Sequence, residues 1–257
     1  MKANFFKAAA ICTTALAAAV LSADTASAYT ISGEQEYLDQ LGDKEGLSYD
    51  LWNRFNEGIN TERFGLGEDD LEVLDLNELT WLAGVDPVEV FFINEGAGYR
   101  NKFFYDTEVR DPSAPNDTSG LTSIWNDVAS PYSILEESNG PLALGEGVNL
   151  GTFEGETRLN FFLQNPQGDV FGTDAATDIT FNPDDLQHIT AYRSGEYMVI
   201  GFEDITGGGD RDYNDVVIAV KGLVDTAPDQ DVPEPASTAA IATLALFGLV
   251  RRRRRLA

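Results

Sequence analysis

The sequence predicts a mainly β protein: an antiparallel β-sandwich, jelly-roll-like, with a few short N-terminal helices. Short runs of β-branched and aromatic residues recur from about Val88 onward, separated by clusters of Gly, Asn, Asp and Pro. No long helical pattern lies between those runs, which disfavours alternating β-α-β units. The part left between two address-like ends, Tyr29 to about Asp231, is roughly 200 residues, enough for the core of one domain.

Residues 1–28 read as a secretory signal peptide. Lys2 and Lys7 give the charged start, "AAAICTTALAAAVL" the apolar stretch, and "ASA" ending at Ala28 the small-residue cleavage site. Residues 29–226 are then the secreted β-rich domain. Its opening, about Gly33 to Asn60, carries two patches of helical spacing in which Leu38, Leu41, Leu51, Trp52 and Phe55 can line an apolar face.

"VEVFFIN" (Val88 to Asn94) and "YRNKFFYD" (Tyr99 to Asp106) read as the two arms of a hairpin across Gly96 and Gly98. "DPSAPNDTSG" (111–120) is a loop. The strands "GVNLGTF", "TRLNFFLQ", "HITAYRS", "EYMVIGFED" and "DVVIAVKG" follow, and in the last Val216, Ile218 and Val220 share one face while Val217 and Ala219 share the other. Residues 227–231 form a linker.

The end of the chain has three parts: Val232-Pro233-Glu234-Pro235, an apolar run of 15 residues from Ala236 to Val250, and five arginines, Arg251 to Arg255. The run is short for a bilayer core of about 30 Å, but arginines can snorkel and hold their side in the cytoplasm. This order closely resembles the PEP-CTERM sorting signal. The resemblance implies export, transient retention in the inner membrane through residues 236–250, and cleavage near Pro233-Glu234-Pro235 by an exosortase-type protease. It also implies a final place at the cell surface or in an extracellular polysaccharide matrix.

From Tyr29 to Val250 there are 42 acidic and 10 basic residues. Such a charge argues against nucleic acid or an anionic membrane surface as a partner and suits a compartment rich in divalent cations. Solubility outside the cell is the plainer explanation. The one cysteine, Cys12, leaves with the signal, so the secreted part has no disulfide and no thiolate nucleophile.

The chemistry concentrates in "GFEDITGGGDRDYND", Gly201 to Asp215. If the flanking strands pair, Glu203, Asp204, Asp210, Asp212, Asn214 and Asp215 gather at one end of the hairpin. Gly207, Gly208 and Gly209 allow the loop to fold inward. Hard oxygen donors on a flexible loop suit Ca2+, which takes six to eight oxygens, better than octahedral Mg2+. The spacing is not that of an EF-hand, because Asp215 stands at the sixth loop position and Lys221 at the twelfth. A purely structural turn also fits, since Asp and Asn bond their own backbone and Arg211 could neutralise one acid.

Gly-Phe-Glu-Asp, the glycine turn and Asp-x-Asp-Tyr-Asn-Asp before an apolar strand resemble domain-of-unknown-function family 4114, over about residues 148–222. The resemblance implies a β-rich extracellular module with calcium binding, and no reaction.

Asp169, Asp174, Asp178, Asp184 and Asp185 could complete a first ion's shell or hold a second ion. Tyr99 could stack on a sugar or belong to a turn. His188 is the one histidine, at a strand start, where a structural role fits best. No nucleophile elbow, zinc-protease motif or phosphate-binding loop is present. The expected function is a secreted calcium-binding structural or adhesive protein, not an enzyme. The rival is a carbohydrate-active hydrolase with a carboxylate pair in a groove lined by Trp52, Trp81 or Trp125.

Overall fold

The computed structural model describes residues 31–59, 72–75, 81–133, 139–154, 157–176 and 178–225. The expected signal with Ala28, the linker and the tail with Pro233, Glu234, Pro235 and residues 236–250 lie outside them. So does most of the acidic stretch between Gly65 and Trp81.

Two helices open the described chain, α1 (Glu34–Leu41) and α2 (Tyr49–Ile59). Trp52 and Phe55 are buried as expected, but the face of α1 is turned by one residue. Tyr37 and Leu41, four apart, point inward together, while Leu38 is 45% exposed. The Tyr37 hydroxyl donates to the carbonyl of Leu47, so its polar tip is satisfied where it is buried.

The strands are β1 (Glu72–Val73), β2 (Trp81–Ala83), β3 (Val88–Asn94), β4 (Lys102–Asp106), β5 (Thr122–Trp125), β6 (Gly147–Gly151), β7 (Asn160–Gln164), β8 (Val170–Gly172), β9 (Ile189–Ser194), β10 (Tyr197–Phe202), β11 (Val216–Lys221) and β12 (Leu223–Asp225). They form a six-stranded sheet in the order β1-β9-β10-β11-β3-β6, a four-stranded sheet β5-β4-β7-β8, and a small pair β12-β2. Every pairing is antiparallel. The fold is therefore mainly β, as the strand texture predicts.

The two larger sheets share one core. Phe103 of β4 meets Phe202 of β10 edge to face at 5.7 Å, and Phe92 of β3 meets Trp125 of β5 at 6.5 Å. Ile200 lies opposite Ile218, so Val216, Ile218 and Val220 share the face of Phe202 and look into the sandwich. The helices cover the other face. The Phe55 ring packs on Tyr197 at 5.3 Å, and the Trp52 indole N–H donates to the Ile93 carbonyl at 2.9 Å. β11 is central in its sheet and covered on both faces, which is why Val216 to Val220 are all buried.

One expectation fails here. β3 and β4 are not the arms of a hairpin, because β3 lies between β11 and β6 while β4 lies between β5 and β7 in the other sheet. Residues 95–101 instead carry the chain across the sandwich. At its start the Gly96 amide donates to the Asn214 carbonyl at 3.0 Å. A Cβ on Gly96 would stand 2.5 Å from Asn214 Oδ1 and 3.1 Å from its backbone oxygen, so a side chain here would press on Asn214. Of the two glycines that suggest a tight turn, Gly96 serves close packing while a Cβ on Gly98 would meet open space, and the crossover delivers Asn101 to the acidic end of the β10–β11 hairpin.

Candidate metal centre

β10 and β11 pair in register from Tyr197–Lys221 to Phe202–Val216, so Glu203 and Asp215 emerge side by side at the hairpin's end. The loop between them returns through a run of left-handed residues: Gly207, Gly208, Gly209, Arg211 and Tyr213 all have positive φ, between 42° and 94°. For Arg211 and Tyr213 that conformation costs on the order of 1–2 kcal/mol each. Surrounding contacts hold it. The Tyr213 amide donates to Glu203 Oε1 at 2.8 Å, and a Cβ on Gly201 would stand 2.2 Å from the Tyr213 carbonyl oxygen. Gly209 lies against the same carboxylate: a Cβ there would stand 2.2 Å from Glu203 Oε2, the movable end of that side chain.

The six candidates divide into two groups. Glu203, Asp210 and Asp212 each bring a carboxylate oxygen to within 4.8 Å of the others. An ion centred among oxygens at that spacing stands no more than about 2.8 Å from each, close to the 2.3–2.6 Å of Ca2+ contacts. Glu203 is buried, Asp212 half-buried and Asp210 exposed, so the group opens to solvent on one side. Burial, and then the charges of Asp210, Asp212 and Asp204, push the Glu203 carboxyl up to about 7, against the pull of the Tyr213 amide. Asn214 braces this group: its side-chain amide donates to Asp212 Oδ2 at 2.7 Å.

Asp204 and Asp215 form the second group; Asp204 is buried and Asp215 half-buried. The Asp204 amide donates to Asp215 Oδ2 at 2.9 Å, and Asn101 Nδ2 donates to Asp204 Oδ2 at 2.7 Å. Asn165, just after β7, donates to the Asp204 carbonyl at 2.9 Å. Burial raises both carboxyls above the usual range, and for Asp215 the adjoining Asp204 charge raises it further.

The other sequence candidates have structural partners. Asp174 and Arg110 form a buried two-pronged ion pair, with Arg110 Nε donating to Asp174 Oδ2 at 2.9 Å and Nη2 to Oδ1 at 2.6 Å. Asp178 caps a short 3-10 turn through the Thr180 amide. Asp169 accepts from Asn116 and Asn165, and Asp185 occupies a left-handed turn position. Asp184 serves the site indirectly, accepting from the Gly207 amide at 2.6 Å and meeting His188 Nε2 at 3.0 Å. Burial alone would raise the Asp184 carboxyl, but bonds from Gly207, His188 and Leu186 hold it below its usual value. His188 is fully buried beside the strand start, its ring stacked on Phe171 at 4.1 Å. Tyr99 is half-buried, and its neighbour Arg100 is paired with Asp127.

Sequence reasoning missed Asn101 and Asn165. Both flank strands of the four-stranded sheet, more than 35 residues from Asp204, and no local pattern marks them for that contact.

A family model, Domain of unknown function (DUF4114), matches residues 153–223, and the PEP-CTERM protein-sorting motif matches residues 231–255. The chain carries both. The sorting motif marks an exported protein, anchored transiently in the membrane by its C-terminal tail and processed by an exosortase-type system. Among the described residues no helix is long and apolar enough to cross a membrane; the apolar run of the tail lies outside them. The DUF4114 match spans β7 to β11, whereas β3, which pairs with β11, and Asn101 come from upstream of it. No curated protein and no solved structure matches the chain.

Proposed function

We propose that this exported protein is a calcium-binding structural or adhesive component of the cell surface or extracellular polysaccharide matrix, in which Ca2+ held by Glu203, Asp210 and Asp212 rigidifies the acidic hairpin. The convergence of three acceptor-only groups at 4.8 Å carries this reading. Carboxylates so close repel one another, by roughly 3 kcal/mol per pair at an effective dielectric of about 20, and a divalent ion turns that repulsion into attraction. Oxygen-only donors, one side open to water and a glycine loop able to adjust its carbonyls match the six to eight flexible contacts of Ca2+.

The protein's contribution is positional. Tyr213 N–H and the packing of Gly209 aim the Glu203 carboxylate, Asn214 orients Asp212, and Asp184 with His188 anchors the loop at Gly207. An ordered acidic tip on a β-sandwich could bridge through its ion to anionic or hydroxyl-rich polysaccharide. We read the protein as a binding module and not a hydrolase. Trp52 stacks on Tyr37 in the core and Trp125 packs against Phe103, so neither indole lines a groove beside a carboxylate pair. The side chain of Trp81 lies outside the described residues.

Thermal unfolding of the full chain in calcium and in chelator, with Asp210→Ala/Asp212→Ala alongside, tests the reading. Binding to the folded state alone should add about 2.7 kcal/mol at a hundredfold excess over Kd, and the double variant should lose the gain. Coincident curves in calcium and chelator would overturn it.

A further inference from the structure

We infer that the cleft between the start of α2 and the row Tyr197, Glu89 and Asn149 on the six-stranded sheet binds an uncharged, hydroxyl-rich ligand, a neutral saccharide. The inference goes beyond the calcium reading and uses none of its side chains. Tyr197 and Lys221 pair at the end of β10 and β11 remote from the acidic tip.

Tyr197, Lys221, Glu89 and Asn149 stand abreast on β10, β11, β3 and β6, so their side chains leave the sheet on one face. α2 covers that face through Trp52 and Phe55 but begins only at Tyr49. Ahead of it a cleft of about 590 Å³ stays open between the sheet and residues 45–48. Sites for small ligands run from about 300 to about 1,000 Å³. Phe91 and Leu51 give the cleft an apolar lining, and a Cβ on Gly147 would stand 2.6 Å from the Phe91 ring. Lys221 belongs to the row but does not line the cleft; its Nζ is held 3.2 Å from Glu196.

Tyr197 supplies the observation that points to a ligand. It lines the cleft and is 9% exposed, yet its hydroxyl has no hydrogen-bond partner among the described residues. Buried tyrosine hydroxyls ordinarily find one. Burial raises the phenol above its usual value, against the pull of Lys221, so the group stays a donor.

The rest of the lining narrows the chemistry. Asn149 Oδ1 accepts from the Gly151 amide at 2.7 Å, which leaves Nδ2 as the free end. Ser48 Oγ accepts from the Leu51 amide at 3.4 Å, which leaves its own proton to donate. The cleft also holds the carboxylates of Glu45 and Glu89 and no Lys, Arg or His, so an anionic ligand would be repelled. An ammonium group would satisfy the carboxylates but accepts nothing from Tyr197, Asn149 or Ser48. Hydroxyl groups serve both sets, and the C–H faces of a sugar ring suit Phe91 and Leu51.

A glycan array of neutral, amino-substituted and acidic mono- and hexasaccharides, probed with the labelled full chain in mild detergent, tests the proposal in chelator and in calcium. Neutral saccharides should be retained equally in both, and acidic ones not at all; the two lengths tell a free sugar from a chain segment. Tyr197→Phe, which keeps the ring packed on Phe55, should weaken binding about fivefold, and Glu89→Gln about tenfold because its acceptor is charged. D210A/D212A should bind the sugar as the wild type does. No neutral saccharide retained, amino sugars alone retained, or neutral binding indifferent to both cleft variants would overturn the cleft and leave the calcium reading standing. Neutral binding that needs calcium and is lost in D210A/D212A would also overturn it, placing the saccharide at the acidic tip.

Discussion

Replacing Glu203 by glutamine separates a metal ligand from a structural carboxylate, because the two roles give opposite signs in chelator. In the metal-free protein the Glu203 carboxyl is raised from 4.5 to about 7, burial being the largest cause. Between those values the folded state holds a proton that the unfolded state has released, so stability falls as pH rises from about 4.5 to about 7 and stays low above it. At pH 8 the full difference applies, and at about 1.4 kcal/mol per pKa unit it amounts to about 3 kcal/mol. Glutamine keeps the oxygen that accepts the Tyr213 amide and carries no charge, so Glu203→Gln should be more stable than wild type in chelator by up to about 3 kcal/mol. For a domain of this size that is roughly 6–12 °C in Tm. At pH 5 the advantage should shrink below about 1 kcal/mol, since the wild-type carboxyl is then largely protonated.

Calcium should stabilise the wild type by about 2.7 kcal/mol at a hundredfold excess over Kd and about 4.1 at a thousandfold, and the variant hardly at all. The gap should therefore close at the lower concentration and reverse at the higher. Differential scanning calorimetry at pH 5 and pH 8, in chelator and in calcium, reads all four quantities. A variant that melts below wild type in chelator at pH 8, or by the same margin in chelator and calcium, would refute the reasoning.

Further outcomes follow from the same geometry. Calcium affinity, measured by titration between pH 5.5 and 8, should be level above about pH 7 and fall below it, approaching tenfold per pH unit as a proton competes for Glu203. Gly201→Ala sets a Cβ 2.2 Å from the backbone oxygen of Tyr213, which cannot swing aside; chemical denaturation should show a loss of at least about 2 kcal/mol and weaker calcium binding together. Asp174→Ala strands the buried Arg110 guanidinium and should cost about 3–5 kcal/mol by the same assay, equally in calcium and chelator, because this pair has no part in the site.

Much of the fold is legible in local sequence because its strands are local patterns. The runs around Val88, Tyr197 and Val216 carry enough β-branched and aromatic residues to be read singly, and the β10–β11 hairpin is short enough that its arms can be paired by eye. What the sequence conceals is which sheet a strand joins. "VEVFFIN" and "YRNKFFYD" look like one hairpin because glycines separate them, yet Gly96 is there for contact with Asn214, and the chain crosses the sandwich. β1, β2 and β12 are two or three residues long and leave no periodic trace. The acidic hairpin is visible as a cluster, but its division into the Glu203, Asp210 and Asp212 triad and the Asp204–Asp215 pair is not, because Asn101 and Asn165, which hold Asp204, are placed by sheet packing. The phase of α1 was missed by one residue because Tyr37, with its hydroxyl on Leu47, competes with Leu38 for the buried face.

The central claim is that Glu203, Asp210 and Asp212 hold a calcium ion, and calorimetric titration of the full chain at pH 7.5 tests it most directly. The account predicts saturable calcium binding that weakens at least a hundredfold in Asp210→Ala/Asp212→Ala while the variant remains folded. Binding of unchanged stoichiometry and affinity in that variant, or no binding heat in the wild type at millimolar calcium, would contradict it.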